Sequence, residues 1–156
     1  MPWGGIKLTH IEKAEKLFGE KFRCSQAVLA AFAEELGLTE EQALKLGGCF
    51  GSGMRKGEVC GACTGALMAL GLKYGQYKTG DMESRLKADS VTERFLDEFK
   101  EENGSYICNE LLNCDISTKQ GRSYAIENRL FTEFCPKMVR SAAKIAEKLL
   151  GDEPNV

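Results

Sequence analysis

The residues of this chain best suited to chemistry are its cysteines. Seven occur in 156 residues, and three of them stand at or near predicted helix starts: Cys60, Cys108 and Cys135. The free N–H groups and the dipole of a helix N-terminus stabilise an anion, so a thiol there ionises more readily. The resulting thiolate is a nucleophile and a metal ligand. These positions therefore predict a thiol-based site.

The spacing of the cysteines leaves the kind of site open. Cys60 and Cys63 form a CxxC pair, but the βαβ context of a thioredoxin-type motif is absent. The five residues between Cys108 and Cys114 do not match zinc-finger spacing, and no ferredoxin cysteine run occurs. A metal site would have to be assembled from scattered positions. Any single cysteine could also serve only as a small buried residue.

A glycine-rich segment, residues 47–57, leads into the region of Cys60 and holds five glycines. Glycine permits left-handed backbone and close approach to a ligand. We expect Gly48, Gly51 and Gly53 to help bring backbone N–H groups to the sulfurs or to a cofactor. The segment fits neither the dinucleotide fingerprint nor the P-loop, so a small-molecule or nucleotide pocket over it is a weaker alternative.

Periodicity and capping residues predict an all-α fold with a single helical domain. Its core covers roughly residues 9–150, and residues 151–156 form a frayed tail. Capping boxes at Thr9 and Thr39 mark two helix starts, while Ser105 and Cys135 are predicted N-caps of two others. The predicted helices cover residues 10–19, 21–36, 40–46, 58–74, 82–102, 106–112, 123–130 and 136–150, with a loop at 115–122.

The predicted helix over residues 58–74 has an unusual composition, because it contains Gly61, Gly65 and Gly71. Each helical glycine costs about 0.5–1 kcal/mol relative to alanine. Close packing of another backbone or of a ligand would offset that cost. The predicted helix over residues 21–36 carries Cys24 on the same apolar stripe as Val28, so Cys24 is predicted to point inward.

Composition narrows the class of protein and its expected compartment. A net charge of −2 does not favour nucleic acid, and no apolar run reaches the roughly 18 residues that span a bilayer. The N-terminal residues show no secretory signal, so we expect a cytoplasmic protein. In a reducing cytosol, cysteine-rich sequences indicate metal binding or redox chemistry more often than a disulfide framework.

Several motifs together resemble those of the C_GCAxxG_C_C family, whose members are described as redox-active. They are Cys24-Ser-Gln-Ala, the GGCFGSGM segment, GEVCGACTGAL around Cys60, SYICNELLNCD around Cys108, and Cys135-Pro-Lys-Met-Val. The resemblance covers roughly residues 24–149 and implies site cysteines at Cys24, Cys60, Cys108 and Cys135, with Cys114 commonly present. Cys49 and Cys63 depart from the pattern. No C-x-x-C-H motif occurs, so covalent haem is not expected.

Two functional hypotheses follow, from different classes. In the first, Cys24, Cys60, Cys108 and Cys135, with Cys114 next, bind an iron–sulfur cluster, zinc or another thiophilic metal, or act as a dithiol/disulfide couple with Cys60 attacking. Such a protein would be an oxidoreductase or electron carrier with an unidentified redox partner. In the second, the cysteines only pack or hold structural zinc, and the glycine face of residues 61–71 forms a homodimer interface.

Overall fold

A computed structural model describes residues 7–151, which fold as a bundle of helices. Within these residues no strand occurs, and one isolated antiparallel bridge pairs Val59 with Ile107. The all-α prediction is therefore confirmed. The α-helices are α1 (His10–Gly19), α2 (Cys24–Phe32), α3 (Glu40–Gly47), α4 (Gly61–Tyr74), α5 (Met82–Asn103), α6 (Cys108–Leu112), α7 (Lys119–Glu127) and α8 (Cys135–Gly151). Shorter turns are a 3₁₀ turn at Glu34–Leu36 and π turns at Gly53–Gly57 and Leu130–Phe134.

Both predicted capping boxes are present. The Thr9 hydroxyl accepts the Glu12 N–H at 3.1 Å, and the Thr39 hydroxyl accepts the Gln42 N–H at 3.1 Å. In turn, the side chains of Glu12 and Gln42, at the third helical positions, accept the backbone N–H groups of Thr9 and Thr39. Each box satisfies two N–H groups that a helix start otherwise leaves unpaired, which explains why α1 and α3 begin where the sequence predicted.

The predicted start of the second helix is wrong by three residues, because α2 begins at Cys24. Lys21 has a left-handed φ of 73° and Arg23 is extended, so neither continues a helix. The Gln26 side chain accepts the Arg23 N–H at 2.8 Å and so stabilises the helix start at Cys24. This correction puts Cys24 at a helix N-terminus, a position that the sequence did not resolve.

Other predicted boundaries also need correction. Residues 115–122 are not all loop, because the Thr118 hydroxyl accepts the Gly121 N–H and α7 begins at Lys119. Ser105 is not an N-cap: its hydroxyl accepts the Ile107 N–H, and α6 begins only at Cys108. Cys135 is already helical and continues from a π turn, so it is the first residue of α8 rather than its cap.

The core is built around α2 and α4, which pack against each other and against α8. The α2 helix is buried over most of its length, and α5 adds the fully buried rings of Phe95 and Phe99. The α1 and α3 helices pack against α2. None of the helices in residues 7–151 has both the length and the apolar character needed to cross a membrane.

The glycines of α4 have different surroundings. A Cβ on Gly61 would lie 2.5 Å from the Cys24 sulfur, and one on Gly65 would lie 2.5 Å from the Ser25 carbonyl oxygen. A Cβ on Gly71 would meet nothing within 4 Å. Gly61 and Gly65 therefore allow the start of α2 to approach α4 within the same chain. They are not available to a partner helix, so the predicted interface over residues 61–71 is wrong for these two positions.

Candidate thiol site

Four cysteines from distant parts of the chain line one cavity of about 510 Å³. Cys24, Cys108 and Cys135 are the first residues of α2, α6 and α8, and Cys60 is the N-cap of α4. These are the four residues that the sequence motifs singled out. The structure therefore brings them to a common space, with each one at the beginning of a helix.

Cys24 is held by the hydrogen bonds of the two residues that follow it. The Ser25 hydroxyl, fully buried, donates to the Gly47 carbonyl oxygen at 2.6 Å. The Gln26 amide donates to the Leu44 carbonyl oxygen at 2.9 Å. Because carbonyls at the end of a helix lack intrahelical partners, these bonds tie the start of α2 to the end of α3. Cys24 is thereby fixed at the cavity wall.

Cys60 and Cys108 are fixed to each other by the backbone. The Cys60 N–H donates to the Tyr106 carbonyl at 2.8 Å, and the Cys108 N–H donates to the Glu58 carbonyl at 2.6 Å. These two hydrogen bonds form the bridge between Val59 and Ile107. The bridge therefore brings together the beginnings of α4 and α6, which the whole of α4 and α5 separates in sequence.

Cys108 and Cys135 meet at a second, smaller apolar cluster. Its buried members are Cys108, Leu112, Ile116 and Ala125, and Phe131 and Cys135 pack against them. Asn109 supports this region, because its side-chain oxygen accepts the Ile116 N–H at 2.9 Å. The cluster positions the thiols of α6 and α8 at the cavity.

The surroundings of Cys60 favour its thiolate. A hydrogen bond from the Cys63 thiol lowers the pKa of Cys60, and the backbone N–H groups of Ala62 and Cys63 lower it further. Burial opposes these effects without reversing them. Strong desolvation, assisted by the same hydrogen bond, raises the pKa of Cys63. At the start of α4, one thiol of the CxxC pair is thus stabilised as the anion while the other keeps its proton.

The other cavity cysteines are held as thiols. Desolvation raises the pKa of Cys24 to about 11 and that of Cys135 to about 12, and it also raises the pKa of Cys108. Repulsion from a Cys60 thiolate contributes to each of these three shifts. Once Cys60 has ionised, its neighbours lose their protons less readily. The cavity therefore contains one favoured nucleophile and three protonated thiols.

The glycine-rich segment contributes through Ser52. The Ser52 N–H lies against the Cys24 sulfur and favours its anionic form, which partly offsets desolvation. Ser52, Gly53, Met54 and Arg55 all have left-handed φ values between 55° and 65°. This run turns the segment, and Ser52 and Arg55 from it line the cavity. Gly48, Gly51 and Gly53 remain predicted cofactor-binding positions, and Ser52 is the residue whose N–H reaches a sulfur.

The remaining cysteines have different environments. Cys63 is fully buried in the main core, Cys49 is exposed, and Cys114 is partly buried beside the smaller cluster without lining the cavity. The hydrogen bond of Cys63 to Cys60 was missed at the sequence level, although the CxxC spacing at a helix start was a signal for it. Lys21, Arg23, Arg55 and Arg122 also line the cavity, and no sequence motif indicated this.

Thiophilic metals prefer cysteine ligands, so the donor chemistry of the cavity suits zinc or an iron–sulfur cluster. In the part of the chain that the structure describes, no group of three or more cysteine, histidine or acidic side chains is arranged to hold a metal ion. A single ion coordinated by three of the cavity thiols would therefore require these side chains to move closer together.

The fold and the site define an all-helical protein whose cysteines converge from four helix starts. The family model described as "Putative redox-active protein (C_GCAxxG_C_C)" matches residues 22–149, most of the chain. The chain belongs to the C_GCAxxG_C_C family, which confirms the resemblance seen in the sequence. Comparison with curated proteins and with solved structures finds no match.

Proposed function

We propose that the protein is a thiol–disulfide redox protein in which Cys60 is the attacking thiolate and Cys24 is its partner. The observation that carries this proposal is the position of Cys60 at the start of α4. There it faces the cavity, and a buried thiol and two N–H groups favour its anion. The redox description of the family agrees with a function of this class.

The reaction conserves atoms and electrons as follows. The Cys60 thiolate attacks one sulfur of a substrate disulfide, the substrate S–S bond breaks, and the released thiolate takes up a proton. Cys24 then loses its proton and attacks the Cys60 sulfur, which releases the second half of the substrate as a thiol. Two electrons have passed from the protein to the substrate. A dithiol reductant restores the Cys24 and Cys60 thiols.

Cys24 is a better candidate for the partner than Cys63. The Cys24 sulfur lies against Gly61, the residue after Cys60, and both cysteines line the cavity. Cys63 is fully buried and does not line it. A mixed disulfide on Cys60 would extend into the cavity, so Cys24 can attack it from the same space.

The test is the reactivity of individual cysteines, read by mass spectrometry after brief alkylation. Wild-type protein should be modified first at Cys60, and mild oxidation should yield a Cys24–Cys60 disulfide that dithiothreitol reduces. Cys60→Ser should abolish both results, whereas Cys49→Ser, at an exposed position outside the cavity, should preserve them. Unchanged alkylation and an unchanged redox titration in Cys60→Ser would overturn the proposal.

A second candidate function is binding of an iron–sulfur cluster or another thiophilic metal by Cys24, Cys60, Cys108 and Cys135, with Cys114 as a further ligand. It is favoured by the presence of four thiols around one cavity. A bound cluster would supply one-electron transfer, and Ser52 would donate a hydrogen bond to a ligand sulfur.

Anaerobic purification with metal and acid-labile sulfide analysis separates the two candidates. Stoichiometric iron and sulfide with a visible absorption band that bleaches on reduction would favour the cluster. Zinc alone would favour a structural or Lewis-acid site. Metal-free protein with a titratable dithiol would favour the thiol–disulfide function. Either redox function suits a reducing compartment such as the cytoplasm, where we propose that the protein works.

A further inference from the structure

The cavity has a strongly one-sided charge. Lys21, Arg23, Arg55 and Arg122 line it, and none of its lining residues within the described chain is acidic. The whole sequence has a net charge of −2, so this concentration of cations does not reflect the average composition. They come from three separate segments: the turn before α2, the π turn at Gly53–Gly57, and α7.

These cations have no carboxylate partner in residues 7–151, where the ion pairs involve other side chains. Arg122 donates to the Ile116 carbonyl at 3.1 Å, which anchors it at the cavity, and the aliphatic part of Arg23 lies against Gly51. Like charges gathered without counter-ions repel one another, and a bound anion would remove that repulsion. Arginine in particular binds carboxylates through paired hydrogen bonds.

Much of the remaining lining is apolar and partly aromatic, although Gln26 and Ser52 also contribute polar groups. Phe18, Phe22 and Phe131 contribute rings, and Ile116 and Met138 contribute aliphatic surface. A volume of about 510 Å³ is in the range of small-molecule pockets. A bare inorganic anion would leave this apolar surface without a contact. The lining fits an organic molecule with a carbon body and a negatively charged end.

We propose that the cavity binds a small anionic organic disulfide, whose carboxylate is held by the arginine and lysine side chains and whose S–S bond faces Cys60. This inference rests on the proposed thiol–disulfide function and names its substrate class. The electron balance is the one given above: two protein thiols become a disulfide, and the substrate leaves as two thiols. The aromatic rings contact the carbon body of the substrate.

The experiment compares three disulfides of different charge in stopped-flow reactions with the reduced full-length protein. The probes are the dianionic aromatic disulfide dithiobis(nitrobenzoate), neutral dithiodipyridine and dicationic cystamine. Each rate is divided by that of a free small-molecule thiolate with the same probe, which removes intrinsic differences in reactivity. We expect the normalised rate of the dianion to exceed that of the dication by about tenfold or more, and added salt to reduce this preference.

Substitutions of the cavity arginines test whether these side chains cause the preference for the anionic probe. Arg55→Gln and Arg23→Gln should each lower the normalised rate of the dianion by about two- to fivefold, while the rate with neutral dithiodipyridine stays near that of the wild type. Lys100→Gln, an exposed lysine that does not line the cavity, is the matched control and should change neither rate. Circular dichroism and Tm confirm that each variant is folded.

The outcomes distinguish this inference from the function on which it rests. Equal normalised rates for the three probes, or a preference for cystamine, would overturn the anionic substrate class and leave the Cys60 chemistry intact. A loss of rate with dithiodipyridine as large as that with the dianion would also overturn it, since the arginines would then act on Cys60 itself. No reaction at Cys60 with any probe would overturn the proposed function.

Discussion

The Cys63 thiol does not reach the cavity, yet it has the largest influence on the ionisation of Cys60. Its hydrogen bond is given to the sulfur that faces the cavity, and burial keeps its own proton in place. Cys63 is therefore a positioning residue that acts through its neighbour. In the CxxC pair, Cys60 is therefore the nucleophile and Cys63 is the buried hydrogen-bond donor.

We expect Cys63→Ala to raise the pKa of Cys60 towards its ordinary value, because the donor that stabilises the thiolate is lost. The midpoint of the alkylation rate of Cys60 against pH should move upward, and the rate near neutral pH should fall. The measurement is the modification of the Cys60 peptide by iodoacetamide over a pH series, followed by mass spectrometry.

Cys63→Ser separates this electrostatic role from simple packing. Serine keeps a hydrogen-bond donor at the same position, so its pH profile should stay close to that of the wild type. The alanine variant also removes buried volume and should lower stability by about 1 kcal/mol. If the alanine and serine profiles were identical, Cys63 would be only a core residue.

At the residue scale, the sequence predicted the site cysteines better than their environment. Predicted helix starts indicated Cys60, Cys108 and Cys135, and the family resemblance added Cys24, which the apolar stripe predicted to point inward. The structure places all four around one cavity. The pKa order depends on desolvation and on hydrogen bonds between neighbouring thiols, which require three-dimensional positions. Arg55 and Arg122 could not be assigned to the cavity, because neither the glycine-rich segment that contains Arg55 nor the segment that contains Arg122 indicates where these side chains lie.

At the scale of the secondary-structure elements, the contact between α2 and α4 depends on the small residues Gly61 and Gly65. Gly65→Ala would force a Cβ against the Ser25 carbonyl and push the helices apart, so we expect a loss of about 1–3 kcal/mol of unfolding free energy. Because Ser25 follows Cys24, the displacement should also slow formation of the Cys24–Cys60 disulfide. Urea unfolding and oxidation kinetics measure the two effects.

Gly71→Ala is the control on the same helix. Its Cβ would meet no other atom within 4 Å, so alanine should stabilise α4 by about 0.5–1 kcal/mol through helix propensity. The two variants differ only in position and should have effects of opposite sign. A destabilising Gly71→Ala, or a neutral Gly65→Ala, would contradict the assigned role of close packing at this contact.

The helix starts at Thr9 and Thr39 depend on adjacent residues and were predictable, whereas the starts of α2 and α7 were not. Thr9 and Glu12 lie within one turn of each other, so their capping box is visible in the sequence. The start of α2 depends on a left-handed Lys21 and on bonds from Ser25 and Gln26 to α3. The α7 helix lacks clear apolar periodicity, so the Thr118 cap was not recognised within a segment taken as loop.

At the scale of the whole molecule, the proposed Cys24–Cys60 disulfide would join the start of α2 to the start of α4. It would close a long loop that contains α3. Such a cross-link restricts the unfolded chain, and a loop of this length corresponds to about 4 kcal/mol in the chain-entropy model. We therefore expect the oxidised protein to have a higher Tm than the reduced protein. Calorimetry of both redox states provides the measurement.

Cys24→Ser is the control for that comparison, since it cannot form the cross-link and should have the same Tm under oxidising and reducing conditions. A lower Tm on oxidation of the wild type would mean that the disulfide strains the folded state by more than it restricts the unfolded one. The reduced state would then be the more stable form, contrary to the prediction.

The all-helical class was predictable because amphipathic periodicity extends over most of the chain. The meeting of α4 and α6 was not, because the bridge that joins them consists of two backbone hydrogen bonds around Val59 and Ile107, and backbone groups carry no sequence signature. The cavity likewise exists only where several helix starts meet, so no single segment indicates it.

The bridge between Val59 and Ile107 also has a consequence for the order of assembly. Its two segments are separated by the whole of α4 and α5, and contacts of such long sequence separation form late because loop closure must precede them. A nascent or partly folded chain therefore holds Cys60 and Cys108 apart, without the arrangement of thiols around the cavity. Folding would thus complete the cavity around Cys60, whereas the groups that favour its thiolate lie within α4 and are in place once that helix has formed.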